Sequence, residues 1–543
     1  MSGFQILIWL CRTLSMVGML VPAAAATDRY VATTGDDEDA GTFAQPWKHI
    51  SHAVEHANAG DRIFVLPGTY DGAHGETFPI NVYKTNQQVL SYDPDQADWA
   101  RIGGDVADDD VVALLTIDTR ASGSIAAGNR SGIVIKNLYF LGEDVADKDG
   151  PHAFLAVADG TNVVASTCSF TANACERSEM NASGSNGRAN IMLDATNGDI
   201  NMLVSLNEVI ATERGGIEAH AAANSATFSP LRRNTISVRD GETALFAIRF
   251  ESEQDGGTGP NDFTANIIES LWEPEQADGI LNGIEVLIPE GGGFGHSNII
   301  ACEISGCRGH GILLSADGDG TETPNITLQK FARNVIVRNG GSGLVLEFDA
   351  DGEDDGDGYI NITSQGNIIA RNGDFGVEVR SLGDISGGGF SSVNDTIADN
   401  SDGGVGFSDL TATGLGWLQR FQNAVMYGNH SGGAQVVGLG SLLDDLEALV
   451  SYSDWQGYPG ADCNVNTLSN VVISCNPYFV DPANVNYHLE LPSTCVDNGL
   501  EDLHVTATLD IDDEDRIQDG DYSCSGPRDP VIDMGADEVA PDC

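Results

Sequence analysis

The sequence predicts an all-β fold, a right-handed parallel β-helix, from three observations. A thirteen-residue pattern recurs through the middle of the chain, its copies fall at nearly regular intervals, and two positions in every copy are apolar. The pattern reads Asn, four residues, Asn, three residues, Gly, then a short strand. "NVIVRNGGSGLVL" (334–346) and "NIIARNGDFGVEV" (367–379) are its clearest copies, and "DTIADNSDGGVGF" (395–407) and "AVMYGNHSGGAQV" (424–436) follow in the same frame. Self-similarity at such a period is the mark of a solenoid, in which no single repeat buries its own apolar face.

The first 26 residues stand apart. Arg12 precedes an apolar run from Leu14 to Val21, and Pro22 leads into Ala23, Ala24, Ala25 and Ala26, which reads as a signal peptide (1–26) cleaved after Ala26. The same stretch read as an uncleaved anchor would place Arg12 mid-membrane, which is costly. Export makes the protein extracellular or cell-surface, or periplasmic, with no membrane insertion after cleavage.

Residues 27–60 read as a strand followed by a capping helix over 46–59. Pro46 opens the helix, Ile50, Ala53, Val54 and Ala57 form one apolar stripe, and Gly60 ends it. The first coil of a solenoid exposes its core unless covered, and an amphipathic helix can cover it. The stretch "YVATTGDDEDAGTFAQPWKHISHAVEHANAGDRIFVLPGTYDGAHGETFPINV" (30–82), notably "GDRIFVLPGTY", resembles the N-terminal domain of unknown function carried by many bacterial secreted pectin-lyase-like β-helix proteins. That resemblance implies the fold and no activity.

The β-helix is expected to run from about 61 to 480. Copies starting at 207, 234, 266, 302, 334, 367, 395 and 424 are 27 to 36 residues apart and average 31, which fits one coil with loops of variable length. One residue after the repeat glycine lie Ile217, Ala244, Ile284, Ile312, Leu344, Val377, Val405 and Ala434. Three residues after it lie Ala219, Phe246, Val286, Leu314, Leu346, Val379, Phe407 and Val436. The residue between varies, so the period is 2 with one face buried. Stacked coils turn the two columns into a continuous core, and the repeat asparagines are expected to bond from coil to coil as a ladder.

The tail, 481–543, is expected to pack on the last coil. "NPYFVDPANVNYHLELPSTCVDNG" (476–499), "LDIDDEDRI" (509–517) and "VIDMGADE" (531–538) resemble the C-terminal end of secreted β-helix proteins of the choice-of-anchor type, which often continues into a sorting signal, and surface anchoring is left open. An exported chain with nine cysteines outside the leader calls for disulfides. Sequence neighbours suggest Cys168/Cys175, Cys302/Cys307, Cys463/Cys475 and Cys495/Cys524, with Cys543 left over. No C-x-x-C pair with structural-zinc spacing is present.

Charge narrows the partners. The chain carries 81 acidic and 26 basic residues, only five of them lysines. Without the leader's Arg12 the net charge is near −56. Spread over a surface, this suits high salt, where self-repulsion is screened. It argues against nucleic acid and anionic membranes, and against anionic glycans unless a cation bridges the two. A polysaccharide is the expected partner by analogy of fold, since long parallel β-helices offer a groove along one sheet for an extended glycan, and the chain is expected to be a monomer.

Candidate chemistry is thin. "GCRGHGILLS" (306–315) resembles the catalytic histidine segment of polygalacturonases, yet the Asn-Thr-Asp, Asp-Asp and Arg-Ile-Lys segments of that family are missing. "CEISGCRGHGILL" (302–314) falls in the repeat frame, which makes His310 a variable turn residue. His49, His52 and His56 share one helix face, a solvated face more readily than a metal site. "EFDADGEDDGDGYINI" (347–362) starts like an EF-hand loop but has Ser364 where the bidentate Glu belongs. Asp349, Asp351, Asp355 and Asp357 are its candidate Ca²⁺ ligands. The outward positions of the strand face hold Glu218, Glu285, Glu347, Glu378 and Arg380. Glu347 and Glu378, about 8 Å apart by strand and coil spacings, fit the carboxyl separation of an inverting glycoside hydrolase. Arg380 is the one outward candidate for the base of a calcium-dependent polysaccharide lyase. These residues do not form a complete catalytic set; the analogy of fold makes an extracellular polysaccharide-binding or polysaccharide-processing protein the first reading and a non-catalytic surface or adhesive rod the second.

Overall fold

In the computed structural model, strands consecutive in sequence mostly belong to different sheets, and every sheet of the solenoid is parallel. The structure describes residues 26–499, 509–516 and 532–539. Within the first span it leaves out short stretches, chiefly 104–110, 143–150, 178–187, 253–261, 271–277, 350–357, 409–416, 438–446 and 457–464. Residues 1–25 of the expected leader lie outside the described residues.

A representative coil passes through Asn325–Ala332, Val335–Val337 and Leu344–Asp349 before Gly358–Gln365 begins the next. These strands belong respectively to a 16-stranded, a 14-stranded and a 12-stranded sheet. The chain is therefore an all-β parallel solenoid, built by stacking each strand on its counterpart one coil away.

Two corners per coil are made by the repeat asparagines. Each is preceded by a residue in the left-handed region, for example Arg333 (φ 55°) before Asn334 and Arg338 (φ 57°) before Asn339. The bend turns the asparagine side chain inward, where it bridges coils. Asn334 Nδ2 donates to Asn367 Oδ1 at 2.9 Å and to Ile299 O at 3.0 Å, while its backbone N–H donates to Asn367 Oδ1 at 2.8 Å. The ladder runs Asn173, Asn207, Asn234, Asn266, Cys302, Asn334, Asn367, Asp395. A second ladder joins Cys307, Asn339, Asn372, Asn400 and Asn429 at the other corner. Both ladders match the expectation, and the first begins one coil earlier than the repeat search found, at Asn173. Buried amides in such chains are stable because every donor and acceptor is matched.

Asp395 breaks the first ladder's chemistry. It accepts from Asn367 N (2.8 Å), Asn367 Nδ2 (2.9 Å) and Ser392 Oγ (2.7 Å). Burial nevertheless outweighs these donors and holds its carboxyl above the usual carboxylate range. A carboxyl raised in the native state binds more protons there than in the unfolded chain, so its contribution to stability falls as pH climbs through that window. Asp395→Asn should raise stability at pH 7 by about 1–2 kcal/mol and by less at pH 4. Melting curves of both chains at the two pH values test this; an equal gain at both, or a loss at pH 7, would be inconsistent with it.

The apolar columns are as expected except in two coils. Register places Ile217, Ile248, Ile284, Ile312, Leu344, Val377 and Val405 in one inward column, and Ala219, Phe250, Val286, Leu314, Leu346, Val379 and Phe407 in the other. Ile248 and Phe250 therefore replace the expected Ala244 and Phe246. The extra residues form a turn around Gly241 (φ 82°), which pushes the strand four positions along. Val436 pairs with Val405 and so takes the column assigned to Ala434.

The helix is shorter than expected, Ile50–His56 rather than 46–59, because Trp47 is drawn into a bridge with Val31 and His49 keeps an extended backbone. Its buried Ile50, Ala53 and Val54 pack beside the strands Asp28–Val31, Arg62–Val65 and Ile80–Asn81. Glu76 accepts from the amides of Ile50 and Ser51 at 2.7 and 2.9 Å, satisfying its first turn. No helix among the described residues is long and apolar enough to cross a membrane.

Two expected disulfides do not form. Cys168, Cys175, Cys302 and Cys307 are free, buried thiols. Cys302 and Cys307 stand at opposite corners of the strand Glu303–Ser305, roughly 10 Å of extended chain, whereas a disulfide needs Cα atoms within about 7 Å. Cys168 and Cys175 sit in different sheets. Cys463, Cys475, Cys524 and Cys543 lie outside the described residues, and with them the Cys463/Cys475 pair and the expected partner of Cys495.

The described part of the tail packs on the flank of the solenoid rather than on its last coil. Tyr487 and Ala536 join Val337, Ile368, Ala370 and Ala398 in one cluster, and Leu489, Cys495, Val496 and Met534 join Val425 in another. The lateral apolar residues of the 14-stranded sheet supply that surface. Fully buried Arg516 fastens the tail by donating to the carbonyls of Gly535, Ala536 and Asn394.

Candidate functional site on the 12-stranded sheet

Side chains between the inward columns point outward and fall into two parallel rows. One row is Met192, Glu218, Arg249, Glu285, Leu313, Val345 and Glu378. The other is Asp194, His220, Glu251, Leu287, Ser315, Glu347 and Arg380. Alternation of in and out follows from the pleat, and stacking gives the rows their direction along the solenoid axis.

Ion pairs fill both ends of these rows. Arg214 Nη2 lies 2.5 Å from Glu218, Arg249 Nη2 lies 2.6 Å from Glu285, and His220 Nδ1 lies 3.2 Å from Asp194. Although outward, Glu218, Glu285 and Glu378 are buried. Burial raises the Glu285 carboxyl above its usual range despite Arg249 and Asn282.

The predicted trio does assemble. Glu347 and Arg380 are register partners on adjacent coils, as expected. Arg380 grips Glu378 with Nε to Oε1 at 2.8 Å and Nη2 to Oε2 at 2.9 Å, and its Nη1 lies 3.6 Å from Glu347 Oε2. Burial opposes the Arg380 charge, but Glu378 and Glu347 together hold the guanidinium above its usual range. Glu378 also accepts from Ser342 Oγ at 2.6 Å, and Glu347 from Ser315 Oγ at 3.2 Å. Arg380 therefore sits between the two carboxylates.

His310 belongs to the same cluster, which reading it as a variable turn residue missed. Its Nδ1 accepts from Ser342 N at 3.0 Å, and its Nε2 lies 3.3 Å from Arg380 Nη2, two coils away. Gly341 makes this reach feasible, since a Cβ there would lie 2.6 Å from the His310 ring. Burial, then the Arg380 charge, pushes the imidazole down to about 4, so it is neutral at pH 7. Asn282 extends the network, accepting from His310 N at 2.8 Å and donating to Glu285 at 2.8 Å. The sequence signal was the Gly-His-Gly itself, and the glycine facing it one coil on was the missing half.

Of the acidic loop, Asp351, Asp355 and Asp357 lie outside the described residues. Asp349 ends the strand Leu344–Asp349, in register with Asp317. Just before the helix, His49 Nδ1 pairs with Asp37 Oδ2 at 2.5 Å, while His52 and His56 on it stack at 3.8 Å. The three histidines do not converge on one point.

Comparison with known proteins adds the following. The family model described as "Protein of unknown function (DUF1565)" matches residues 33–94, overlapping the stretch singled out at the N-terminus. Pectate lyase PEL9 of Emericella nidulans is 45% identical over 51 residues, which is 9% of this chain and 12% of that enzyme's length. Among solved structures, pectate lyase Pel9A aligns over 95% of this chain and 97% of its own at 14% identity and a TM-score of 0.35. A complex of XylC with xylose aligns over 94% and 98% at 10% identity and a TM-score of 0.40. The periplasmic alginate epimerase AlgG aligns over 70% and 85% at 14% identity and a TM-score of 0.32.

Proposed function

We propose that the chain is an exported, acidic, right-handed β-helix protein, capped by its N-terminal helix, that binds or processes an extracellular polysaccharide along the outer face of the 12-stranded sheet. One observation carries the reading: polar and charged side chains stand in two registered rows along the solenoid axis, interrupted by Met192, Leu313 and Val345 in one and by Leu287 in the other. An extended polymer lying there meets equivalent positions at each coil, about 4.8 Å apart. The names of the relatives, pectate lyases and an alginate epimerase, are consistent with that partner class.

The geometry favours gripping over cleavage. An inverting hydrolase needs room for water between its two carboxyls, and here Arg380 occupies that room. A lyase base must be able to lose its proton, and two carboxylates oppose that for Arg380. Arg380, Glu347 and the neutral His310 remain suited to sugar hydroxyls. Calcium, held by Asp349, Asp351, Asp355 and Asp357, would let so acidic a protein accept an acidic glycan.

The test is a panel of neutral and acidic polysaccharides, with and without CaCl₂, assayed for binding and for new reducing ends or unsaturated products. Glu347→Gln should weaken binding about tenfold, or 1.4 kcal/mol, without changing the fold, because Glu347 is partly exposed. Absence of binding to every glycan, or binding indifferent to Glu347→Gln, favours a non-catalytic structural rod.

A further inference from the structure

Three separated pieces of the tail bring metal-ligating atoms to one point. His488 lies on the strand Asn486–Leu489, Asp512 on the turn closed by the Leu509–Asp515 bridge, and Asp537 on the final described segment. One side-chain ligand atom from each lies within 4.8 Å of the other two.

The imidazole is oriented for ligation. His488 Nδ1 lies 2.5 Å from Asn486 Oδ1, an oxygen that can only accept, so Nδ1 carries the proton and Nε2 presents its lone pair. Nε2 is shut off from solvent and makes no hydrogen bond, although Asp512 Oδ2 is only 2.8 Å away. A lone pair facing a carboxylate oxygen is repulsive unless a positive charge lies between them, either a proton on Nε2, which would make an ion pair, or a bound metal ion. Two ligands about 2.0–2.1 Å from one ion and at right angles to each other, as in octahedral coordination, stand about 2.9 Å apart.

The surroundings support the same conclusion. Asp537 spends Oδ2 on Leu489 N at 2.7 Å and keeps its other oxygen. Asp510 accepts from the amides of Asp512 and Glu514, each at 2.9 Å, which fixes the turn. The buried Arg516 gives its bonds to backbone carbonyls instead of these carboxylates.

We infer that His488, Asp512 and Asp537 form a divalent-metal site that staples the tail to the flank of the solenoid. One nitrogen and two carboxylate donors suit a first-row ion such as Zn²⁺ or Mn²⁺ better than Ca²⁺ or Mg²⁺, which prefer all-oxygen sets. Solvent reaches Asp512, whose side chain is 51% exposed, so water can complete the coordination.

The experiment uses the full chain without a polyhistidine tag, stripped with chelator and titrated with Zn²⁺, Mn²⁺, Ca²⁺ or Mg²⁺. Elemental analysis and calorimetry should show one equivalent of Zn²⁺ or Mn²⁺ per chain, and metal should slow proteolysis of the tail. His488→Ala and Asp512→Asn should each weaken binding at least tenfold. Both change partly exposed side chains, and a circular dichroism spectrum like that of the natural chain shows that they fold. Absence of stoichiometric Zn²⁺ or Mn²⁺ binding overturns the site. So does metal that stays bound in both variants, or that is lost only when His49 and His52 are replaced.

Discussion

Asn367→Ala is expected to lower stability by about 3–5 kcal/mol, the cost of orphaning several buried partners at once. Asn367 Oδ1 accepts from both Asn334 N and Asn334 Nδ2, at 2.8 and 2.9 Å. Its Nδ2 donates to Phe331 O at 3.0 Å, Ser364 Oγ at 2.9 Å and Asp395 Oδ1 at 2.9 Å. Alanine strips all five bonds in a fully buried corner, and water has no route in to replace them. A solenoid contacts only its neighbouring coils, so the damage should centre on the coils at 334, 367 and 395. Urea unfolding gives the overall loss, and amide exchange locates it. A shift below about 1 kcal/mol, or protection lost evenly along the rod, would mean the ladder is not what holds the corners.

The ladder was readable because every coil must solve the same corner problem with the same residue. Asn334, Asn367 and the chain between them therefore recur almost unchanged. Asn173 escaped notice because "NACERSEMN" carries neither the second asparagine nor the glycine, although the first corner is built identically. Ile248 and Phe250 were displaced by a surface turn, and strict spacing cannot anticipate where an insertion falls. Cys302 and Cys307 looked like a disulfide because their separation is short in sequence. In a solenoid five residues span a whole strand, and both thiols merely fill ladder positions.

The candidate site was half legible for a related reason. Glu347, Glu378 and Arg380 follow from the pleat, since alternate residues on stacked strands must share a face. His310 does not follow from it. Its ring crosses the intervening coil because Gly341 has no side chain, and that depends on which residue faces it one coil away. Convergence of His488, Asp512 and Asp537 was further from reach, because the tail's packing on the flank has no periodicity to read.

The repeat glycine gives the second large effect: Gly343→Ala should cost about 3 kcal/mol through overpacking. A Cβ at Gly343 would lie 2.5 Å from Ile369 Cγ2 and 2.8 Å from both Asn372 Nδ2 and Gly376 O. Gly283, Gly311 and Gly376 repeat this arrangement, each against an isoleucine Cγ2 and the carbonyl of the next coil. The glycine column is thus required by close approach between the 12-stranded strand and the second asparagine corner. Gly366→Ala is the discriminating control. Its φ of 61° is unfavourable for alanine, but its nearest neighbour, Arg333 Cγ, is 3.9 Å away, so it should cost only about 1 kcal/mol. Urea midpoints for both variants decide the matter. Similar losses would show that backbone conformation, and not packing against Ile369 and Gly376, selects glycine in the repeat. A loss three times larger at Gly343 would show that coil stacking leaves no room there for even one methyl group.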